Sequence, residues 1–282
     1  MEAALYPPSD PVRRHPTATT ISNLTRADVV DWYTQAYRPD LTSIAVVGDI
    51  APTFARAEVQ KYFGTWRSHG PKPDFHYPTV AMNKTALAAV TSPEGQQTVV
   101  QLTELLPIHR DNPDHWALEL ANTALTGEAT KSLLFEDLRK ATGFSYDVGS
   151  TLDIGVVRST YQFQFASDPK NAAEATSRLL ADLRRLQQEP MSADDLTRAK
   201  QTILARSVLP QGSYFGLAQE VLGVASSLQN TGRERAAGTT MGANDWRRIL
   251  TLTPAQVRDA FAKWVRVDDF VRVTVSPQTA GR

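Results

Sequence analysis

Residues 132–155 read Ser132-Leu-Leu-Phe-Glu-Asp-Leu-Arg139-Lys-Ala-Thr-Gly143-Phe-Ser-Tyr146-Asp-Val-Gly-Ser-Thr-Leu-Asp-Ile-Gly155, and a change of period inside this stretch decides the fold. Its first half puts Leu134, Leu138 and Ala141 on one side of a helix, the spacing of an element with one buried face. Gly143 stands where such a helix stops in the left-handed conformation. From Phe144 the period falls to two. Phe144, Tyr146, Val148, Ser150 and Leu152 alternate with polar or small residues, as on a strand with one face turned to a core. Tyr161, Phe163 and Phe165 repeat the alternation with glutamines between them, and Asp153-Ile-Gly155 separates the two runs. The pair predicts an antiparallel hairpin.

Toward the C-terminus, Asp168-Pro169 opens a helix with Leu179, Leu180, Leu183 and Leu186 on its apolar side. Ser192 with Asp195 caps another that carries Leu196, Ala199 and Ile203, and a further helical region runs from Ser213 to about Leu228. On the N-terminal side, Thr98–Thr103 reads as a strand, and Asp111, Asn112 and Pro113 offer caps for a helix through about Leu125. Thr25 and Asp28 form a capping box ahead of Val29, Trp32, Tyr33, Ala36 and Tyr37. The helix they open ends at Arg38-Pro39, because the residue before proline avoids helical geometry. Ser43-Ile-Ala-Val-Val-Gly48 predicts a buried strand, and Pro52 opens a helix with Val59, Tyr62, Phe63 and Trp66 as its stripe. Residues 1–23, with four prolines, read as an irregular lead-in. Hairpin strands mixed with consecutive helices predict an α+β fold: a mixed, largely antiparallel sheet with helices packed on one face.

A repeat lies at an offset of 228 positions. Leu24-Thr-Arg-Ala-Asp-Val-Val-Asp matches Leu252-Thr-Pro-Ala-Gln-Val-Arg-Asp, and Arg38, Asp40 and Val47 match Arg266, Asp268 and Val275. That makes 8 identities over positions 24–47, and both copies are a capped helix followed by an apolar extended run. If the copy at 252–276 closes a domain, the copy at 24–47 closes another, whose earlier part is not in this chain. Arg67–Pro78, with Gly70 and three prolines, is the best linker. The expected organisation is an incomplete α+β domain plus linker over 1–78 and a complete α+β domain over 79–282.

The 282 residues carry 30 Lys plus Arg against 30 Asp plus Glu, a balance that predicts no nucleic-acid or anionic-membrane surface. No apolar run approaches the ~18 residues that span a bilayer, so no membrane span is expected. Met-Glu-Ala-Ala-Leu-Tyr-Pro-Pro-Ser-Asp lacks the cationic start and apolar stretch of a secretory signal. With no cysteine, the chain has no disulfide, thiol nucleophile or cysteine metal ligand. Phosphate-loop, dinucleotide and nucleophile-elbow motifs do not occur.

Thr42–Ile50, the helix ending Lys61-Tyr-Phe-Gly-Thr-Trp66, Leu125-Thr-Gly127, Ser132–Tyr146 and Ser192–Lys200 together resemble the insulinase-type (pitrilysin-like) zinc metallopeptidases, specifically their C-terminal, non-zinc portion. The resemblance implies two homologous halves closing around a chamber where peptides are cut. Zinc is held in the companion half by an inverted His-x-x-Glu-His motif whose glutamate activates the metal's water. Histidines stand here only at 15, 69, 76, 109 and 115, and none forms that motif. His115 with Glu119 is the best substitute, a pair that ordinarily belongs to a solvated helix face; with His109 it would require stoichiometric zinc to count as a site. The chain itself is therefore expected to hold no metal, no cofactor and no catalytic residue.

The same resemblance carries Arg139 and Tyr146 over as substrate-binding residues, the arginine holding peptide carbonyls and the tyrosine donating to a developing oxyanion. Read without it, a cation in a last helical turn answers to the helix dipole and a tyrosine on an alternating strand faces a core. The implied partners are a zinc-bearing homologous half, in the same polypeptide or as a separate subunit, and a peptide substrate. A structural or interaction protein that keeps the fold without proteolysis is the alternative. The sequence departs from the family pattern at Glu128 and at Leu133, where glycine and arginine are common, which bears on the loop between them. The compartment stays open, the periplasm included.

Overall fold

The computed structural model describes residues 1–73, 78–128, 130–155, 157–231 and 243–278. In chain order the elements are α1 (Glu2–Leu5), α2 (Ala18–Ser22), α3 (Arg26–Ala36), α4 (Pro52–Phe63), β1 (Ala86–Ser92), β2 (Thr98–Leu106), α5 (His115–Thr126) and α6 (Leu133–Phe135). A π-helical turn (Glu136–Ala141) continues α6, then come β3 (Ser145–Ile154), β4 (Ser159–Ser167), α7 (Ala172–Gln188), α8 (Ala193–Val208), α9 (Tyr214–Thr231), α10 (Ala243–Thr251), α11 (Pro254–Trp264) and β5 (Val271–Pro277).

Two compact units divide the chain, one made of 1–8, 80–206 and 241–282 and the other of 9–79 and 207–240. The first contains a five-stranded sheet in the order β1-β5-β2-β4-β3. Its pairs are antiparallel except for β1 with β5, which run parallel from Ala86 opposite Val271. Helices cover one face, as the alternation of β4 requires: Tyr161, Phe163 and Phe165 are buried, while Gln162 and Gln164 face away. The inward side chains form one core with Val100, Leu102 and Leu106 of β2, Leu118 and Leu125 of α5, Leu179 and Leu183 of α7, and Val257 and Phe261 of α11. Phe163 sits at its centre, 4.4 Å from the Tyr161 ring and 5.8 Å from that of Phe270. Burying aromatic side chains of this size is the main driving force available to a sheet with one covered face. Met1, Leu5 and Tyr6 pack with Val80, Ala86, Leu105 and Val271 in a satellite cluster.

A buried polar knot fastens the strands behind that cluster. Both Glu104 carboxylate oxygens accept the Arg266 backbone N–H, at 3.1 and 3.3 Å. The Arg266 guanidinium donates to the Asn83 and Leu105 carbonyls and to Asp269. Asn83 accepts from the Leu105 N–H and donates to the Asp269 carbonyl. Burial pushes the Glu104 carboxyl up to about 8, against the pull of the Arg266 amide and charge and with an upward push from Asp269.

Within the other unit, α3 carries the expected capping box: Thr25 Oγ1 accepts from the Asp28 N–H, and Asp28 accepts from the Thr25 N–H. Ser43–Gly48, however, forms no strand. It is extended, and Ile44 and Val46 remain exposed, and among the described residues no strand pairs with it. The lead-in is less irregular than its prolines suggest. Thr17 and Thr20 cap α2 reciprocally, and Asp10 caps a 3-10 turn over Pro11–Arg13. Helix α5 starts four residues later than Asp111, with the Asn112 side chain accepting from the Asp114 N–H in the turn before it.

Candidate functional site

Arg139 lies in the π turn, whose wider spacing shows in the Thr142 N–H reaching back to the Asp137 carbonyl. The Thr142 hydroxyl also lies 3.1 Å from both the Asp137 and the Leu138 carbonyls, so one residue closes the end of the turn with its backbone and its side chain. Such turns recur where a helix must re-aim a side chain. Arg178 of α7 holds the turn from outside through two bonds to Asp137, 3.0 and 3.2 Å long. Gly143 then takes φ of 68°, the left-handed conformation in which a side chain is strained.

Tyr146 follows on β3, an edge strand of the sheet. Alternation alone turns it inward with Val148. Instead, a bulge between Ser145 and Val148 shifts the register. Ser145 is buried, and its hydroxyl lies within bonding distance of both the Asp147 and the Ala166 carbonyls, which holds the extra residue. Tyr146 is thereby turned out and left 73% exposed. Its ring meets the Arg139 guanidinium at 4.5 Å from the ring centroid. The structure thus brings together the two residues singled out from the sequence as an exposed cation–π pair, with Arg139 in a last helical turn and Tyr146 outside the core. Beside them, a cavity of about 270 Å³ opens over Gly149, lined by Asp147, Thr151, Gln162 and Gln164.

Sequence reasoning missed the residues that hold this pair. Thr142 carries a faint signal, a hydroxyl just before a helix-ending glycine. Asp137 and Arg178 carry none, because their contact spans two helices far apart in sequence.

The histidines do not assemble. His115 Nε2 lies 3.5 Å from Glu119 Oε1, and its ring stacks on Trp116 at 4.7 Å. The His109 carbonyl accepts from the Asn112 N–H, the His69 carbonyl from Arg38, and His76 lies outside the described residues. Among the described residues no three His, Cys, Asp or Glu side chains are placed to hold a metal ion. No described helix is long and apolar enough to cross a membrane. The two departures are accommodated: Glu128 accepts from Thr202 of α8, and Leu133 packs against the core.

A family model described as the peptidase M16 inactive domain matches residues 23–203. An uncharacterized zinc protease of Mycobacterium tuberculosis is 28% identical over 202 residues, 71% of this chain and 44% of that protein. The chain therefore spans less than half the length of that relative. A crystal structure of a peptidase M16 inactive domain from Pseudomonas fluorescens superposes with a TM-score of 0.77 at 21% identity, covering 94% of this chain and 61% of that one. The periplasmic protease PqqL of Escherichia coli gives 0.74 at 17% identity, covering 98% of this chain and 30% of that one. By its sequence match and its fold, this chain belongs to the peptidase M16 inactive domain family.

Proposed function

We propose that this chain is the substrate-binding, non-catalytic part of an insulinase-type zinc peptidase, completed for peptide hydrolysis by a zinc-bearing homologous half in the same polypeptide or in a separate subunit. The observation that carries the reading is the Arg139–Tyr146 pair: a π turn and a bulge, each with its own supporting hydroxyl, present both side chains outward at one edge of the sheet. A fold with no further task for these residues gains little from exposing a tyrosine on a strand whose pattern would bury it. In this role the Arg139 guanidinium holds carbonyl oxygens of an extended peptide, for which its planar donors are suited. The Tyr146 hydroxyl donates to the oxygen that gains charge as the peptide bond is attacked. The guanidinium over the ring fixes both before substrate arrives. The cavity over Gly149 gives a neighbouring peptide side chain room among polar groups.

The test uses this chain together with its zinc-bearing half, with turnover and melting recorded for each variant. Tyr146→Phe is expected to lower kcat about 100-fold, the effect of removing one oxyanion donor. Arg139→Ala is expected to raise KM, by about 10-fold or more for a lost charge-assisted contact. Neither empties a packed core, so the melting temperature stays within about 2 °C of the parent. Unchanged turnover beside a lowered melting temperature overturns the proposal.

A further inference from the structure

Helix α7 carries two stripes side by side. Leu179, Leu183 and Leu186 are buried in the core, and Arg178, Asp182 and Arg185 follow one residue behind at the same spacing. The charged stripe meets the π turn that carries Arg139. Arg178 donates to both Asp137 oxygens, and the Arg185 guanidinium lies 3.1 Å from Asp182 Oδ1. The Asp182 side chain is only 11% exposed. Its second oxygen, Oδ2, is buried and has no hydrogen-bond partner among the described residues.

The group that Asp182 faces is the Asp137 carboxyl. Two ionised carboxylates in contact repel and neither can donate, whereas one proton between them turns the orphan acceptor into a donor. Burial pushes the Asp182 carboxyl up to about 6, Arg185 and Arg178 pull it down, and Asp137 adds to the push. The other charges on the elements packed around α7 are taken up elsewhere. Arg184 pairs with Asp268, Glu136 with Lys140, Glu104 with Arg266, Lys263 with Asp114, and Arg258 with Asp259. A cavity of about 240 Å³ borders Asp182, with Leu125, Leu133, Leu186 and Met191 as its apolar lining and Glu189 and Asp195 as its other acids. Asp195 is bonded to Ser192 and Arg198. The cavity gives the Asp182 proton its way to solvent.

We propose that Asp182 is a positioning residue for Arg139: protonated, it donates to Asp137 and holds the π turn in the form that lays the guanidinium over Tyr146. Ionised, it repels Asp137. It also competes for Arg178, which stands one helical turn away on the same face. Arg178 then no longer clamps the turn with both donors, and Arg139 loses its fixed place. The hold on peptide carbonyls therefore weakens as the pH rises through about 6. This inference rests on the reading of Arg139 as a substrate-binding residue, and it adds to that reading a dependence on one proton.

The test compares the parent with Asp182→Asn, whose amide keeps a donor for Asp137 and has no proton to lose. KM for one unstructured peptide is measured from pH 5 to 8, on this chain together with its zinc-bearing half. The ratio of parent to variant removes the titration of the zinc site, which both share. That ratio is expected to rise about 5-fold or more as the pH passes 6, while the ratio of kcat values moves much less. Carbon-13 NMR of this chain, labelled at aspartate, is expected to show the Asp182 carboxyl titrating near 6. Over the same interval the Arg139 side-chain protons, displaced by the Tyr146 ring, are expected to shift in the parent and stay in place in Asp182→Asn. An Asp182 carboxyl that titrates in the ordinary carboxylate range overturns the inference, as do Arg139 protons that move alike in both chains. A level KM ratio beside a KM that responds to Arg139→Ala overturns the role of Asp182 alone. A KM indifferent to Arg139→Ala overturns the substrate-binding reading, and the role of Asp182 in binding falls with it.

Discussion

Replacing Glu104 by glutamine tests the polar knot at the back of the sheet, and the structure sets both sign and size. Glu104 is fully buried, with its carboxylate on the Arg266 N–H and the guanidinium Nε 3.7 Å away. Burial moves its carboxyl from 4.5 to about 8. The folded chain therefore keeps this proton up to about pH 8, whereas the unfolded chain gives it up near pH 4.5. Between those values the folded state binds more protons, so stability falls as the pH rises and levels off above about 8. The slope approaches about 1.4 kcal/mol per pH unit, on the order of 4 kcal/mol across the interval. Glutamine keeps an oxygen for the Arg266 N–H and has no proton to lose, so Glu104→Gln removes this slope. Urea unfolding at pH 5, 6, 7 and 8, followed by tryptophan fluorescence, gives the difference between parent and variant, in which the other titrating groups largely cancel. Curves that stay parallel over that range refute the reasoning. A parent that gains on the variant as the pH rises would show Glu104 ionised by its Arg266 contacts.

Two further outcomes follow from positions already described. Phe163→Ala, at a site with 0% exposure between Tyr161 and Phe270, is expected to cost about 3–5 kcal/mol by emptying the core centre, read from the same urea curves. Gly143→Ala meets no neighbouring atom but must adopt φ of 68°, so it is expected to cost about 1–2 kcal/mol and to widen the Arg139–Tyr146 separation in a crystal structure of the variant.

The hairpin was legible in the sequence because Tyr161, Phe163 and Phe165 bury on one side and glutamines stay on the other. The capping boxes were legible for a similar reason: Thr25 with Asp28 needs only local backbone. Ala86–Ser92 went unread, since small side chains give no alternation and its partner, β5, lies at the far end of the chain. The run at 43–48 misled in the opposite direction. Its apolar pattern is that of a buried strand, yet it forms no strand and Ile44 and Val46 stay exposed. Arg139 and Tyr146 could be named only from the family resemblance, and the turn at Gly143 allows them to converge on one edge of the sheet. The outward turn of Tyr146 could not be read, because it depends on a bulge that does not break the hydrophobic period visibly.

The order β1-β5-β2-β4-β3 also sets a timetable. During synthesis β2, β3 and β4 emerge in succession, and the β3–β4 hairpin can form and take β2 alongside β4 while the rest of the chain is still being made. β1, made before any of them, has to wait. Among the described residues its one partner is β5, the last strand to emerge, which must slot between β1 and β2. Closing a loop that long is slow compared with closing a hairpin. Until it happens, two strand edges and the apolar face of α11's future seat are open to other chains. The nascent protein is thus most exposed to aggregation just before residues 271–277 arrive, the interval in which a holding chaperone has most to protect.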